Sequence, residues 1–82
     1  MTKKYAALER FLHNCDRDRI ALSFVQIENE LRIELPKSAR SRPEWWGNNP
    51  EGHVQAQAWL NAGYRVRADR VSEIAYFERD HN

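Results

Sequence analysis

Lys37, Arg40 and Arg42 stand in the stretch KSARSRPEWWGNN, residues 37–49, and two adjacent tryptophans, Trp45 and Trp46, follow them. Ammonium and guanidinium groups hold phosphate oxygens, and flat rings stack on bases or on arginine itself. Asn48 and Asn49 add amides of the kind that read base edges. Together these are the ingredients of a nucleic-acid contact, and Lys37, Arg40, Arg42, Trp45, Trp46 and Asn48 are its first candidates. Paired tryptophans in a small domain also serve packing. The expectation is that one ring anchors this irregular segment to the core and the other borders a basic surface, with either ring eligible for either place.

A second basic group follows. In YRVRA, residues 64–68, Tyr64, Val66 and Ala68 alternate with Arg65 and Arg67, the pattern of a half-buried strand with a basic outer face. Arg70 comes at the turn beyond it. A basic hairpin can lie on a DNA backbone or enter the minor groove. The same alternation also suits a solvated edge that resists aggregation. Gln55, in HVQAQAWLNA with His53, Gln57 and Asn61, completes the candidates, because Gln and Asn amides suit adenine in a major groove.

Other chemistries find little support. His13, His53 and His81 form no HxxxH or HExxH spacing, and Cys15 is the one cysteine, so neither a cysteine-rich zinc site nor an internal disulfide can form. Cys15 lacks the base and orienting group that a nucleophile needs. Glu28 and Glu30 fall on different helix faces. With three glycines there is no phosphate-cradling loop. No catalytic residue, metal ligand or cofactor is nominated, and the reading is of a protein that is not an enzyme.

The chain has 82 residues, 41% hydrophobic and 30% charged, with a formal net charge of +1. That length suits a single domain over 1–82. A domain this small buries only about 60–65% of its unfolded surface, so its nine aromatic residues matter to the core. The near-neutral total can hide a basic face, because the acids gather at Glu28, Glu30, Glu34 and the final residues. No apolar run approaches the roughly 18 residues of a membrane span, and no signal-like apolar region follows Met1. The expectation is a cytoplasmic protein with no membrane partner.

The elements that must position these residues follow from period and punctuation. Tyr5, Leu8, Phe11 and Leu12 make one stripe of a first helix over 4–14. The charged turn DRDR precedes a brief strand, Ile20 to Leu22. Ser23 and Gln26 form a capping box, opening a helix from Phe24 to about Arg32. Pro36 ends that pattern, Ser38 can cap a short turn, and Pro43 can begin another at Glu44-Trp45-Trp46. Residues 47–52, GNNPEG, are loop by composition. A helix over 53–62, with Val54 and Ala58 inward, stops at Gly63. Strands over 64–68 and 74–78 close a hairpin, and residues 79–82 should fray. The fold class is α+β. Its order of helix, strand, helix, irregular connection, helix and hairpin is winged-helix-like.

LPKSAR (35–40), WWGN (45–48) and AWLNAGYRV (58–66) resemble the pattern LPxSAR, WWxN and AWLxAG[YW]xV of a family of small, uncharacterised bacterial domains. The resemblance covers nearly the whole chain, with LSFVQIE (22–28) as its second helix. It implies a self-contained domain of bacterial or phage origin, and no particular activity.

The leading expectation is a nucleic-acid-binding module, for double-stranded DNA above all. Lys37, Arg40, Arg42, Arg65 and Arg67 would meet phosphates, with Trp45 or Trp46, Asn48 and Gln55 at the contact. The alternative is a protein-interaction or dimerisation module, a homodimer or an accessory to a larger system, since exposed Trp and Arg are enriched at interface hot spots. A third reading is an aromatic pocket in which Trp45, Trp46 and a nearby tyrosine stack a flat ligand.

Overall fold

Ser23 is where the chain passes from strand to helix. Its hydroxyl oxygen accepts from the Gln26 backbone N–H at 3.0 Å, and the Gln26 side chain accepts from the Ser23 N–H at 2.8 Å. This reciprocal cap is the one that the S-x-x-Q spacing predicts. The computed structural model describes residues 4–49, 51 and 53–80. Its elements are α1 (Ala6–His13), β1 (Arg19–Ser23), α2 (Phe24–Glu30), α3 (Ser38–Ser41), a 3-10 turn (Pro43–Trp46), α4 (Val54–Asn61), β2 (Tyr64–Asp69) and β3 (Ile74–Arg79). The fold is mixed α+β. None of these helices is long and apolar enough to cross a membrane.

The sheet is antiparallel in the order β1-β3-β2, with β3 in the centre and β2–β3 as the C-terminal hairpin. The register sorts the side chains into two faces. Ile20, Phe77 and Val66 share a row on the inner face, as do Leu22, Ala75 and Ala68. Arg19, Glu78 and Arg65 form a row on the outer face, and Ala21, Tyr76 and Arg67 form the next. The alternation of Arg65 and Arg67 with Tyr64, Val66 and Ala68 thus has the predicted sense. The helices cover the inner face: α2 packs on β1, α4 on β2, and α1 on α4. Trp59, Tyr64, Phe24, Phe77, Leu12 and Ile27 are the largest fully buried side chains of this core.

Local expectations fail where long-range partners decide. β1 spans Arg19–Ser23 rather than three residues, because β3 pairs with all of it. Ser38 is the first residue of α3 rather than its cap; Lys37 takes the capping position with no side-chain bond. Val54 is 65% exposed, while Gln55, Ala56, Ala58 and Trp59 are the buried residues of α4. β3 runs on through Arg79 instead of fraying at that residue. The Arg79 guanidinium explains this: it donates to Asp18, to the Cys15 and Arg17 carbonyls and to the Tyr64 hydroxyl. The Asp80 N–H also bonds the Gly63 carbonyl at 2.8 Å. Pro50 and Gly52 of the expected loop, and His81 and Asn82 of the expected frayed end, lie outside the described residues. Gly63 itself has φ of 89°, the left-handed turn expected after α4.

Candidate functional site

Both tryptophans of the pair are core. Trp45 is 9% exposed and Trp46 4%, so the expectation that one borders a basic surface is corrected. Trp46 stacks between Phe24 at 4.9 Å and Trp59 at 5.9 Å, and its indole N–H donates to the Ala39 carbonyl at 2.7 Å. Trp45 packs edge-on against Trp46 at 4.7 Å and against Tyr5 at 6.0 Å. A 3-10 turn has about three residues per turn, so neighbouring side chains diverge widely. Laid flat on the core, the turn sends one ring between α2 and α4 and the other toward Tyr5 at the start of α1. Neither ring is open to a base, and an aromatic pocket built on the pair is overturned with it.

Asn48 and Gln55 also spend their amides internally. The Asn48 Oδ1 accepts from the Trp59 indole N–H at 3.0 Å and from the Val66 backbone N–H at 2.8 Å. Its Nδ2 donates to the Val66 carbonyl at 3.0 Å. β2 is an edge strand, and this amide imitates a neighbouring strand at Val66, covering part of the edge. Gln55, 6% exposed, donates from Nε2 to the Trp45 carbonyl at 3.1 Å, so it faces away from any groove. The residues of α4 that do face solvent are Val54, Gln57 and Asn61. None carries charge.

Arg40 is a structural clamp. It donates to both Glu28 oxygens, at 2.9 and 3.3 Å, and to Glu73 Oε2 at 3.2 Å, while lying 5.6 Å from the Phe24 ring centroid. It therefore ties α2, α3 and the hairpin together. Glu73, which sequence reasoning passed over, is the second half of that tie. It sits at φ of 55° at the end of the four-residue loop between β2 and β3, and its carbonyl accepts from the Phe24 N–H at 2.8 Å. A four-residue hairpin loop often needs a left-handed residue, and a glutamate there disguises the signal.

The Arg40 hydrogen bond holds the Glu28 carboxyl below the ordinary glutamate range, and Glu28 holds Arg40 above its own. A lowered carboxylate contributes stability at pH above its unfolded value and loses it as pH falls through the folded one. Arg40→Met should therefore cost about 1–2 kcal/mol near neutrality, since the pair is only partly buried. The difference from the parent should start to shrink as pH falls below the unfolded glutamate value of about 4.3 and should be lost as pH passes through the lower folded value of Glu28. Chemical denaturation at pH 7 and pH 3 checks this; an equal deficit at both would show that the charge pair contributes nothing.

The remaining nominees are exposed. Lys37 and Arg42 flank α3, and Arg65 and Arg67 lie on the outer face of β2, Arg65 within 4.0 Å of Asp80. The hairpin tip reaches α3: an Arg70 guanidinium nitrogen lies 3.5 Å from the Arg40 carbonyl. Arg40, Pro43, Arg67, Arg70 and Val71 line an open concavity of about 480 Å³ there. Val71, at the tip, is 97% exposed. Asp69 shapes that tip by accepting from the Val71 and Ser72 N–H groups, and Ser72 holds its carboxyl below the usual range. Two basic segments far apart in sequence thus meet at one place. Among the described residues no three His, Cys, Asp or Glu side chains cluster as a metal site.

The family described as Domain of unknown function (DUF7662) matches residues 5–81. The chain belongs to that family, which agrees with its resemblance to a small uncharacterised domain. No curated protein and no solved structure matches it.

Proposed function

We propose that this member of the family is a nucleic-acid-binding module that contacts double-stranded DNA through the β2–β3 hairpin and the cations beside it. The observation that supports this reading is the meeting of the hairpin tip with α3. Arg67 and Arg70 line one concavity with Arg40 and Val71, and Arg42 and Lys37 stand at the two ends of α3. The exposed cations Lys37, Arg42, Arg65, Arg67 and Arg70 are the phosphate partners in this reading. Val71, apolar and exposed beside Arg70, suits insertion into a minor groove. The sheet order and the terminal hairpin are compatible with a winged-helix arrangement whose wing is this hairpin. Because the open stripe of α4 carries no cation, the hairpin rather than α4 carries the contact. Arg40, Trp45, Trp46, Asn48 and Gln55 support the scaffold and leave the list of contacts.

Fluorescence anisotropy with a labelled random duplex tests the reading. Release of counterions from about four to five phosphates weakens binding roughly 150- to 500-fold between 50 and 200 mM salt. Arg65→Ala/Arg67→Ala should bind at least about 10-fold more weakly at 50 mM and lower the salt slope by about two. Lys37→Ala/Arg42→Ala should do the same to a similar extent, and Val71→Ser should weaken binding without changing the melting temperature. Absence of binding at 50 mM overturns the reading in favour of a protein-interaction module.

A further inference from the structure

The outer face of the sheet carries a second arrangement that the sequence order conceals. Arg19 comes from β1, Tyr76 and Glu78 from β3, and Arg65 and Arg67 from β2. The register brings them into two adjoining rows, Arg19–Glu78–Arg65 and Ala21–Tyr76–Arg67. The helices lie on the other face, so these rows are open: Arg19, Ala21, Arg65, Arg67 and Glu78 are exposed and Tyr76 is half-buried. Tyr76 is on the central strand, and the Arg67 guanidinium lies 4.8 Å from its ring centroid. Shallow concavities of about 450 and 400 Å³ flank the ring, one toward Arg65 and the other toward Arg19, with Arg67 and Glu78 bordering both.

We infer that this face is a stacking platform for single-stranded nucleic acid, an inference that rests on the nucleic-acid reading above and adds a second form of the ligand. Tyr76 is the ring on which an unpaired base stacks. Every base has a π-face, so such stacking tolerates any sequence, whereas bases inside a duplex are already stacked on one another and cannot reach a flat sheet. Arg67, already against the ring, closes over the stacked base or turns to a phosphate. Arg19 and Arg65 lie two strand spacings apart, about 10 Å, one on either side of β3. A single strand laid across the sheet meets a guanidinium on each side of the central strand. Charge complementarity supports this occupant: three guanidinium groups surround the ring, and the one carboxylate in these two rows, Glu78, stands next to Tyr76 where a base edge rather than a phosphate would fall. A carboxylate at that place accepts from an exocyclic amine. Ala21, with its small side chain, leaves the Arg19 side of the ring unobstructed.

The test compares a labelled 15-nucleotide oligo-dT with a 15-base-pair duplex, in anisotropy titrations at 50 mM salt. Tyr76→Ala should weaken oligo-dT binding about 10- to 100-fold, and Tyr76→Phe, which keeps the ring, should stay within about threefold of the parent. Duplex binding, which draws on the hairpin and α3 cations and not on the ring, should stay within about twofold for both variants. Tyr76 lies on the open face, so circular dichroism should show both variants folded. Oligo-dT binding that survives Tyr76→Ala, or that fails equally in Tyr76→Phe, overturns the platform. So does a loss shared equally by the duplex. Parent protein that binds duplex but not oligo-dT sinks the platform and leaves the duplex reading standing; parent protein that binds neither removes both.

Discussion

Trp46→Ala should lower unfolding stability by about 3–5 kcal/mol, the range for deleting a large buried aromatic. The ring fills the space between Phe24 and Trp59, and the Ala39 carbonyl would lose its indole donor. Domains of this size hold about 5–15 kcal/mol in all, so the variant should melt roughly 15–30 °C lower and could be largely unfolded at 37 °C. Trp46→Phe separates the two contributions. It keeps a ring in the stack and loses the 2.7 Å hydrogen bond, for a cost of about 1–2 kcal/mol. Thermal melts followed by circular dichroism check both. A Trp46→Ala variant within about 1 kcal/mol of the parent would mean that the ring is not core, and would reopen it as a contact residue.

Asn48→Ala should cost about 2–4 kcal/mol, because one substitution leaves three groups without partners: the Trp59 indole N–H and the Val66 N–H and carbonyl. Asn49→Ala, next to it, should change stability by less than about 0.5 kcal/mol. The Asn49 side chain is exposed and accepts from the exposed Glu51 N–H at 3.0 Å. Asn48→Asp is the sharper variant. One of its oxygens can still accept from the Trp59 indole and the Val66 N–H, but the other faces the Val66 carbonyl where a donor is needed. Protonation restores that donor, so its deficit should fall as pH is lowered. Urea titrations of the three variants at pH 7, and of Asn48→Asp at pH 4, decide the matter. Equal, small losses for Asn48→Ala and Asn49→Ala would show that Asn48 does not hold the β2 edge.

These two expectations also set the controls for any binding study. Weakened DNA binding by Trp46→Ala or Asn48→Ala would report a damaged scaffold, and the same caution applies to Arg40, whose guanidinium is committed to Glu28 and Glu73. Substitutions at Lys37, Arg42, Arg65, Arg67, Val71 and Tyr76 act on solvent-facing side chains. They separate recognition from folding.

Much of the fold is local and was therefore readable. The Ser23–Gln26 cap, the Gly63 stop, the Pro43 turn and the period-two alternation of β2 each depend on residues within a few positions of one another. The same is true of the order of elements and of the α+β class. What tertiary structure decided is how the polar and aromatic side chains are spent. Asn48 reaches across 18 positions to Val66, Arg40 across 33 to Glu73, and Arg79 across 64 to Cys15. An amide, a guanidinium or an indole carries the same chemistry whether it faces a phosphate or a backbone carbonyl. The deciding quantity is burial, and burial belongs to the packed chain. Trp45 and Trp46 went inside because an 82-residue domain has few large rings with which to fill its core. The sheet register, which no local pattern specifies, left Tyr76 among three arginines on the open face.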